Sequence, residues 1–137
     1  MTEADRSLRM DVGMVVGIVD DDPAVRNSLK FSLELEGFAV GAYESAAELL
    51  QAGDISRFHC LVIDQNLPRM NGLELVEKLR ALKFSSPIIL ITSDPPKALI
   101  ARANRVGVPI VEKPLLGNTL LDKILEAIAP QAPPAVS

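Results

Sequence analysis

The chain has 137 residues, 48% hydrophobic and 23% charged, with a net charge of −4. That length and balance favour one globular domain, able to bury roughly two-thirds of its unfolded surface without help from disulfides. The acidic balance and the lack of a basic stripe exclude a nucleic-acid surface, and no apolar run reaches the ~18 residues of a membrane span.

Residues 1–13 mix charges of both signs, lack a signal peptide's apolar stretch and read as a flexible leading segment. With neither signal nor span, a cytoplasmic location is the expectation. Met14–Val19 is the first apolar run. A helix is predicted over 23–36, with Asp22 as N-cap, Pro23 at the first helical position and Gly37 as the stop. Val25, Leu29 and Leu33 recur at four-residue steps and mark its buried face. Phe38–Val40 is a second, shorter run. Residues 45–52 form the next helix, with Ser45 three places before Glu48 in capping-box spacing. Cys60–Ile63 is a third run, and its lone cysteine reads as a small core side chain. His59, beside a polar stretch, reads as a surface residue.

Residues 72–83 carry Leu75, Val76, Leu79 and Leu82 at helical steps. Pro87–Ile91 is the fourth run and is followed by a helix over 96–106. Pro109–Val111 is the fifth run, before a helix over 117–129 that Pro130 stops. Residues 130–137 form a Pro/Ala-rich tail. Three of the runs are continuous and rich in Val and Ile, as strands are when helices cover both faces of a sheet. Five strand–helix alternations over 14–129 imply an α/β fold, a doubly wound parallel sheet with right-handed crossovers. Such sheets carry their crevice at the carboxyl ends of the strands.

Polar residues end four of the five runs on that side. They are Asp20-Asp21-Asp22, then Asp64 with Gln65-Asn66-Leu67-Pro68, then Thr92-Ser93, then Glu112-Lys113-Pro114. Three acids, a hydroxyl and an ammonium can therefore converge on one rim. Carboxylates within ~4–6 Å resist joint ionisation. A hard divalent cation removes that repulsion, and an oxygen-only donor set suits magnesium or manganese. A carboxylate in that setting can take a phosphoryl group as nucleophile, with the metal and Lys113 offsetting charge on the moving oxygens. Taken singly, Lys113 is an ordinary solvated lysine, Thr92 a strand-end cap, and Asp22 a helix cap and not a ligand.

The ordered set Asp20-Asp21-Asp22, Asp64-x-x-Leu67-Pro68-x-Met70-x-Gly72, Thr92-Ser93 and Glu112-Lys113-Pro114 resembles the signature of response regulator receiver domains. The resemblance spans Met14 to Ala129 and implies a flavodoxin-like (CheY-like) sheet of strand order 2-1-3-4-5. It implies Asp64 as phosphoacceptor, and Asp20, Asp21, Asp64 and the Asn66 backbone carbonyl as magnesium ligands. It further implies Thr92 and Lys113 as phosphoryl contacts, Gly72 at the turn into the third helix, and a cis Lys113–Pro114 peptide. The implied partners are a sensor histidine kinase or histidine phosphotransfer protein. A downstream protein would dock on the face of the fourth helix, fifth strand and fifth helix, which also serves homodimers.

Two positions depart from the family. Ile110 stands where an aromatic usually turns inward on activation, and a χ1-stiff isoleucine cannot supply that readout. Thr92 to Lys113 spans 21 positions, one fewer than the common pattern, with Asp94-Pro95-Pro96 between them. Phosphorylation is therefore expected to be intact and the switch atypical. Asn66 and Asp94, two places after the phosphoacceptor and the threonine, are polar and imply rapid loss of the group. The alternatives are a haloacid dehalogenase-type phosphatase and a receiver-like module that works without phosphate. The first needs a further acidic pair after the lysine, where only Asp122 and Glu126 follow on a helix. The second conflicts with the retention of all five key residues.

Overall fold

Continuous apolar runs become strands shielded on both faces. In the computed structural model, which describes residues 14–115 and 117–129, β1 (Val15–Val19), β3 (Cys60–Asp64) and β4 (Ile88–Thr92) form the centre of one sheet. β2 (Ala39–Tyr43) and β5 (Ile110–Glu112) are its edges, in the parallel order β2-β1-β3-β4-β5. Every residue of β3 and β4 is buried, which accounts for their lack of polar alternation. The expected leading segment 1–13 and the tail 130–137 lie outside the described residues.

Five helices flank the sheet: α1 (Pro23–Leu35), α2 (Ala46–Leu50), α3 (Gly72–Ala81), α4 (Lys97–Arg105) and α5 (Thr119–Ile128). Alternate strand residues feed two separate cores. Leu61, Ile63, Ile88 and Leu90 pack with Leu49, Leu75, Leu79 and Leu99 beneath α2, α3 and α4. Val62, Ile89 and Ile91 pack with Leu33, Ile124 and Ile128 beneath α1 and α5, and buried Cys60 sits among them. Helices on both faces make the sheet doubly wound, as the alternation predicts. Among the described residues no helix is long and apolar enough to cross a membrane.

Local capping follows the sequence in part. Asp22 accepts from the Ala24 amide at 2.9 Å, as an N-cap before Pro23 should. Ser45 caps Glu48 N at 3.1 Å, but the Glu48 carboxylate reaches Glu44 N instead of closing the box, and α2 has five residues. The reciprocal box belongs to α3, where Asn71 and Glu74 each cap the other's amide. β2 continues past the predicted run through Gly41, Ala42 and Tyr43, paired to β1 along its length. His59 corrects the surface expectation. It is half-buried, and its Nδ1 accepts the Val15 amide at 3.0 Å while its own amide donates to the Val15 carbonyl at 2.8 Å. The ring thus extends the β1–β3 ladder by satisfying a strand-end donor.

Candidate functional site

Strand register decides which side chains meet. Val19 pairs with Ile63, so the next residues, Asp20 and Asp64, leave adjacent strands at the same level. Asp64 pairs with Ile91 and Thr92 with Glu112, which sets Thr92 and Lys113 on the same rim. Among the described residues the buried polar side chains are Asp20, Asp64 and Thr92, and all three lie here. A sheet that buries its apolar residues so thoroughly hides polar groups only where they converge.

The contacts are short and mutual. Asp64 Oδ1 accepts from the Asn66 amide at 3.1 Å, and Oδ2 accepts from Lys113 Nζ at 3.2 Å. Asp20 Oδ1 accepts from the Asp22 amide at 2.9 Å. Asp20 Oδ2 lies 3.5 Å from Lys113 Nζ and has no hydrogen-bond partner among the described residues. Exposed Asp21 completes a group whose ligand oxygens, one each from Asp20, Asp21 and Asp64, all lie within 4.8 Å of one another. Thr92 sits at the end of β4, its hydroxyl only 3.4 Å from the Ser93 carbonyl, while its own carbonyl accepts the Lys113 amide at 2.8 Å.

Burial raises the Asp20 pKa, and the nearby Asp64 charge adds to it; the Asp22 amide and Lys113 work in the other direction. Burial would lower the Lys113 pKa, but Asp64 and Asp20 outweigh it and hold the ammonium charged. Three carboxylates face one ammonium, and two of the three, Asp20 and Asp64, are buried. A buried carboxylate oxygen without a hydrogen bond is costly. Oxygen donors alone, more carboxylates than ammonium groups and a buried carboxylate oxygen that lacks a hydrogen bond together fit a hard divalent cation of the magnesium kind.

Other predicted positions spread around this centre. Asn66 is exposed in the turn after β3, tied to Asp64 through its own amide. Exposed Asp94 adopts a left-handed φ of 46° ahead of Pro95. Ile110 begins β5 opposite Leu90 and packs against the core under α2–α4. The Lys113–Pro114 peptide is cis.

Residues that the sequence reading passed over hold the site from behind. Arg26 on α1 donates to the Asp20 carbonyl at 2.6 Å. Gln65 accepts the first two amides of α3, Gly72 N on its carbonyl at 3.0 Å and Leu73 N on its side chain at 2.8 Å. Gly72 permits this approach, since a Cβ there would lie 2.7 Å from the Asp64 carbonyl oxygen. The Asn71-x-x-Glu74 box was legible as a capping signal; Arg26 and Gln65 carried no motif.

A sequence model of the family described as response regulator receiver domain matches residues 16–125. The transcriptional regulatory protein FixJ of Bradyrhizobium diazoefficiens is 34% identical over 121 residues, 88% of this chain and 59% of that protein. FixJ of Rhizobium meliloti is 37% identical over 82% of this chain and 55% of its own length. The chain thus spans a little over half the length of these relatives. A CheY-like receiver domain protein from Methanospirillum hungatei superposes with a TM-score of 0.79 at 31% identity, over 86% of this chain and 95% of that one. The chain belongs to the response regulator receiver domains, the signalling modules of two-component systems.

Proposed function

We propose that the domain, over residues 14–129, accepts a phosphoryl group on Asp64 from a phosphohistidine of a sensor kinase or phosphotransfer protein. The observation that carries this reading is the buried Asp64 carboxylate, flanked by Asp20 and Asp21 and paired with Lys113. Lys113 and the Asn66 amide hold the two oxygens of Asp64 and so orient the carboxylate toward the rim. One Asp64 oxygen forms the new O–P bond as the donor's N–P bond breaks; the histidine nitrogen leaves with the electron pair and takes a proton. Lys113 remains beside the transferred oxygens, and the Thr92 hydroxyl, only loosely held, is available to donate to them. Asp20, Asp21, Asp64 and the Asn66 carbonyl would hold magnesium or manganese, which when bound offsets the charge of the phosphoryl oxygens.

The donor must reach the rim beside Lys113. A groove of about 590 Å³ between α1 and α5 opens there, lined by Val25, Leu29, Leu121 and Lys113 itself. Output would pass through the α4–β5–α5 face, where Ile100 and Val106 are exposed, to a downstream protein or a second copy. Ile110 and the Asp94-Pro95-Pro96 turn make the switch atypical. The domain promotes its own phosphorylation and dephosphorylation and turns over no external substrate. A cytoplasmic location suits a kinase partner of this kind.

Intact-mass measurement after incubation with acetyl phosphate and magnesium tests the reading. The wild type gains one phosphoryl group and Asp64→Asn gains none. An unmodified wild type, or equal gain by the variant, refutes it. Turnover of p-nitrophenyl phosphate would favour the phosphatase alternative.

A further inference from the structure

The residue after the phosphoacceptor is wired into the next helix. The first four amides of an α-helix have no partner within it. In α3 all four, counted from the N-cap, are satisfied by three residues. Asn71 N donates to the Glu74 side chain, Gly72 N and Leu73 N to the carbonyl and the side chain of Gln65, and Glu74 N to the Asn71 side chain. Asn71 caps its own helix, as N-cap residues do. Gln65 acts from outside, across the whole loop that separates β3 from α3. Its backbone N–H donates to the Ile91 carbonyl at 2.9 Å, which anchors it to β4.

Gln65 sits between Asp64 and Asn66, the acceptor and the expected carbonyl ligand. One bond ties these two flanking residues to each other, Asn66 N to Asp64 Oδ1 at 3.1 Å. Gly72 presses against the same segment, where an added Cβ would stand 2.8 Å from Gln65 Cα and 2.7 Å from the Asp64 carbonyl oxygen. The backbone of residues 64–66 is therefore trapped between β4 on one side and the start of α3 on the other. The half-buried side chain of Gln65 supplies the bond that closes the trap.

We propose that Gln65 is a positioning residue for phosphoryl transfer: through the Leu73 amide it sets the orientation of the Asp64–Asn66 turn. The inference rests on Asp64 being the phosphoacceptor. Without the side-chain acceptor the turn keeps its two backbone bonds but loses the third, and Asp64 drifts from the geometry its attack requires, since small misplacements cost rate steeply. Binding of the incoming donor depends on other surfaces and should change little.

The test compares wild type, Gln65→Leu, Gln65→Ala and Gln65→Glu in single-turnover phosphorylation by acetyl phosphate at saturating magnesium. Leucine keeps the volume and removes the acceptor; alanine leaves room for water to replace it; glutamate retains an acceptor oxygen at a helix N-terminus that favours negative charge. The expected result is a maximal rate about tenfold lower in Gln65→Leu, a smaller loss in Gln65→Ala, and recovery to within about twofold in Gln65→Glu, with KM for acetyl phosphate unchanged throughout. Equal maximal rates in wild type and Gln65→Leu overturn the proposal. So does a loss in Gln65→Glu as large as in Gln65→Leu, because only retention of the acceptor distinguishes positioning from general damage. If Gln65→Leu does not fold, the alanine and glutamate variants decide by the same comparison. Wild type that takes up no phosphoryl group refutes the Asp64 reading itself; phosphorylated wild type with an indifferent Gln65 refutes only this inference.

Discussion

Replacing Gly72 by alanine puts one methyl group where there is no space. The new Cβ would lie 2.7 Å from the Asp64 carbonyl oxygen, 2.7 Å from Leu90 Cδ1 and 2.8 Å from Gln65 Cα. Carbon atoms rest at about 3.5–4.0 Å from one another, so the start of α3 must retreat from β3 by nearly an ångström. Two of the three obstacles are backbone, and Leu90 is fully buried, so no side-chain rotation relieves the clash. Overpacking of this kind costs about 1–3 kcal/mol, and the backbone obstacles place it at the upper end. Alanine's better helix propensity returns at most about 1 kcal/mol. The expected net loss is about 2 kcal/mol. With a urea m-value of about 2 kcal/mol/M for a domain of this size, the unfolding midpoint should fall by about 1 M. The retreat also loosens the Gly72 and Leu73 amides from Gln65, so phosphorylation of the folded variant should slow. A midpoint within about 0.2 M of wild type would refute the packing argument.

Asp20→Asn removes a charge that burial and the neighbouring Asp64 disfavour, so the metal-free protein should become more stable in urea, while the stabilisation that magnesium gives the wild type, about 3 kcal/mol at a hundredfold excess over Kd, should vanish; unchanged magnesium stabilisation would contradict the ligand role. Burial pushes the Cys60 thiol up from 9.0 to about 12. The folded state thus holds a proton that the unfolded chain releases, and stability from this residue is fully present below pH 9 and lost as pH rises toward 12. The loss is about 4 kcal/mol over that window; urea midpoints for wild type and Cys60→Ala that fall in parallel would contradict it. If Asn66 and Asp94 control access of water to the phosphate, as the resemblance implies, the acyl phosphate should decay quickly in magnesium, followed by intact mass, and survival for many hours would count against that assignment. Adding a phosphoryl mimic should perturb amide shifts of α4 and β5 only modestly, because Ile110 has no aromatic ring to turn inward; large shifts throughout both elements would refute the atypical switch.

The strands and the rim were legible because this fold writes them plainly. A strand covered on both faces must be continuously apolar, so Asp64 after Cys60–Ile63 and Thr92 after Ile88–Ile91 stand out as the points where water returns. Parallel order then forces Asp20, Asp64, Thr92 and Lys113 to one side, without any distance being known. β2 was less visible because Gly41 and Ala42 carry little pattern on a half-covered edge strand. Gln65, Arg26 and the ring of His59 act through single hydrogen bonds to backbone groups, and such bonds depend on how two elements meet, not on spacing along the chain. The reciprocal Asn71–Glu74 cap shows the other limit: its spacing was present, but Ser45–Glu48 has the same spacing and closes only half the box.

The bond from the Lys113 amide to the Thr92 carbonyl joins the hydroxyl-bearing and ammonium-bearing residues across the last two strands. A pull on the threonine is therefore transmitted to the lysine's strand through one link of the ladder. That strand has three residues and nothing paired to its outer side in the five-stranded sheet. It can be displaced without breaking bonds to a further neighbour, whereas the same displacement at β1 or β3 would disturb partners on both flanks. On the Thr92 side of the sheet, β5 is thus the margin where a small tug at the rim disturbs the fewest strand pairings.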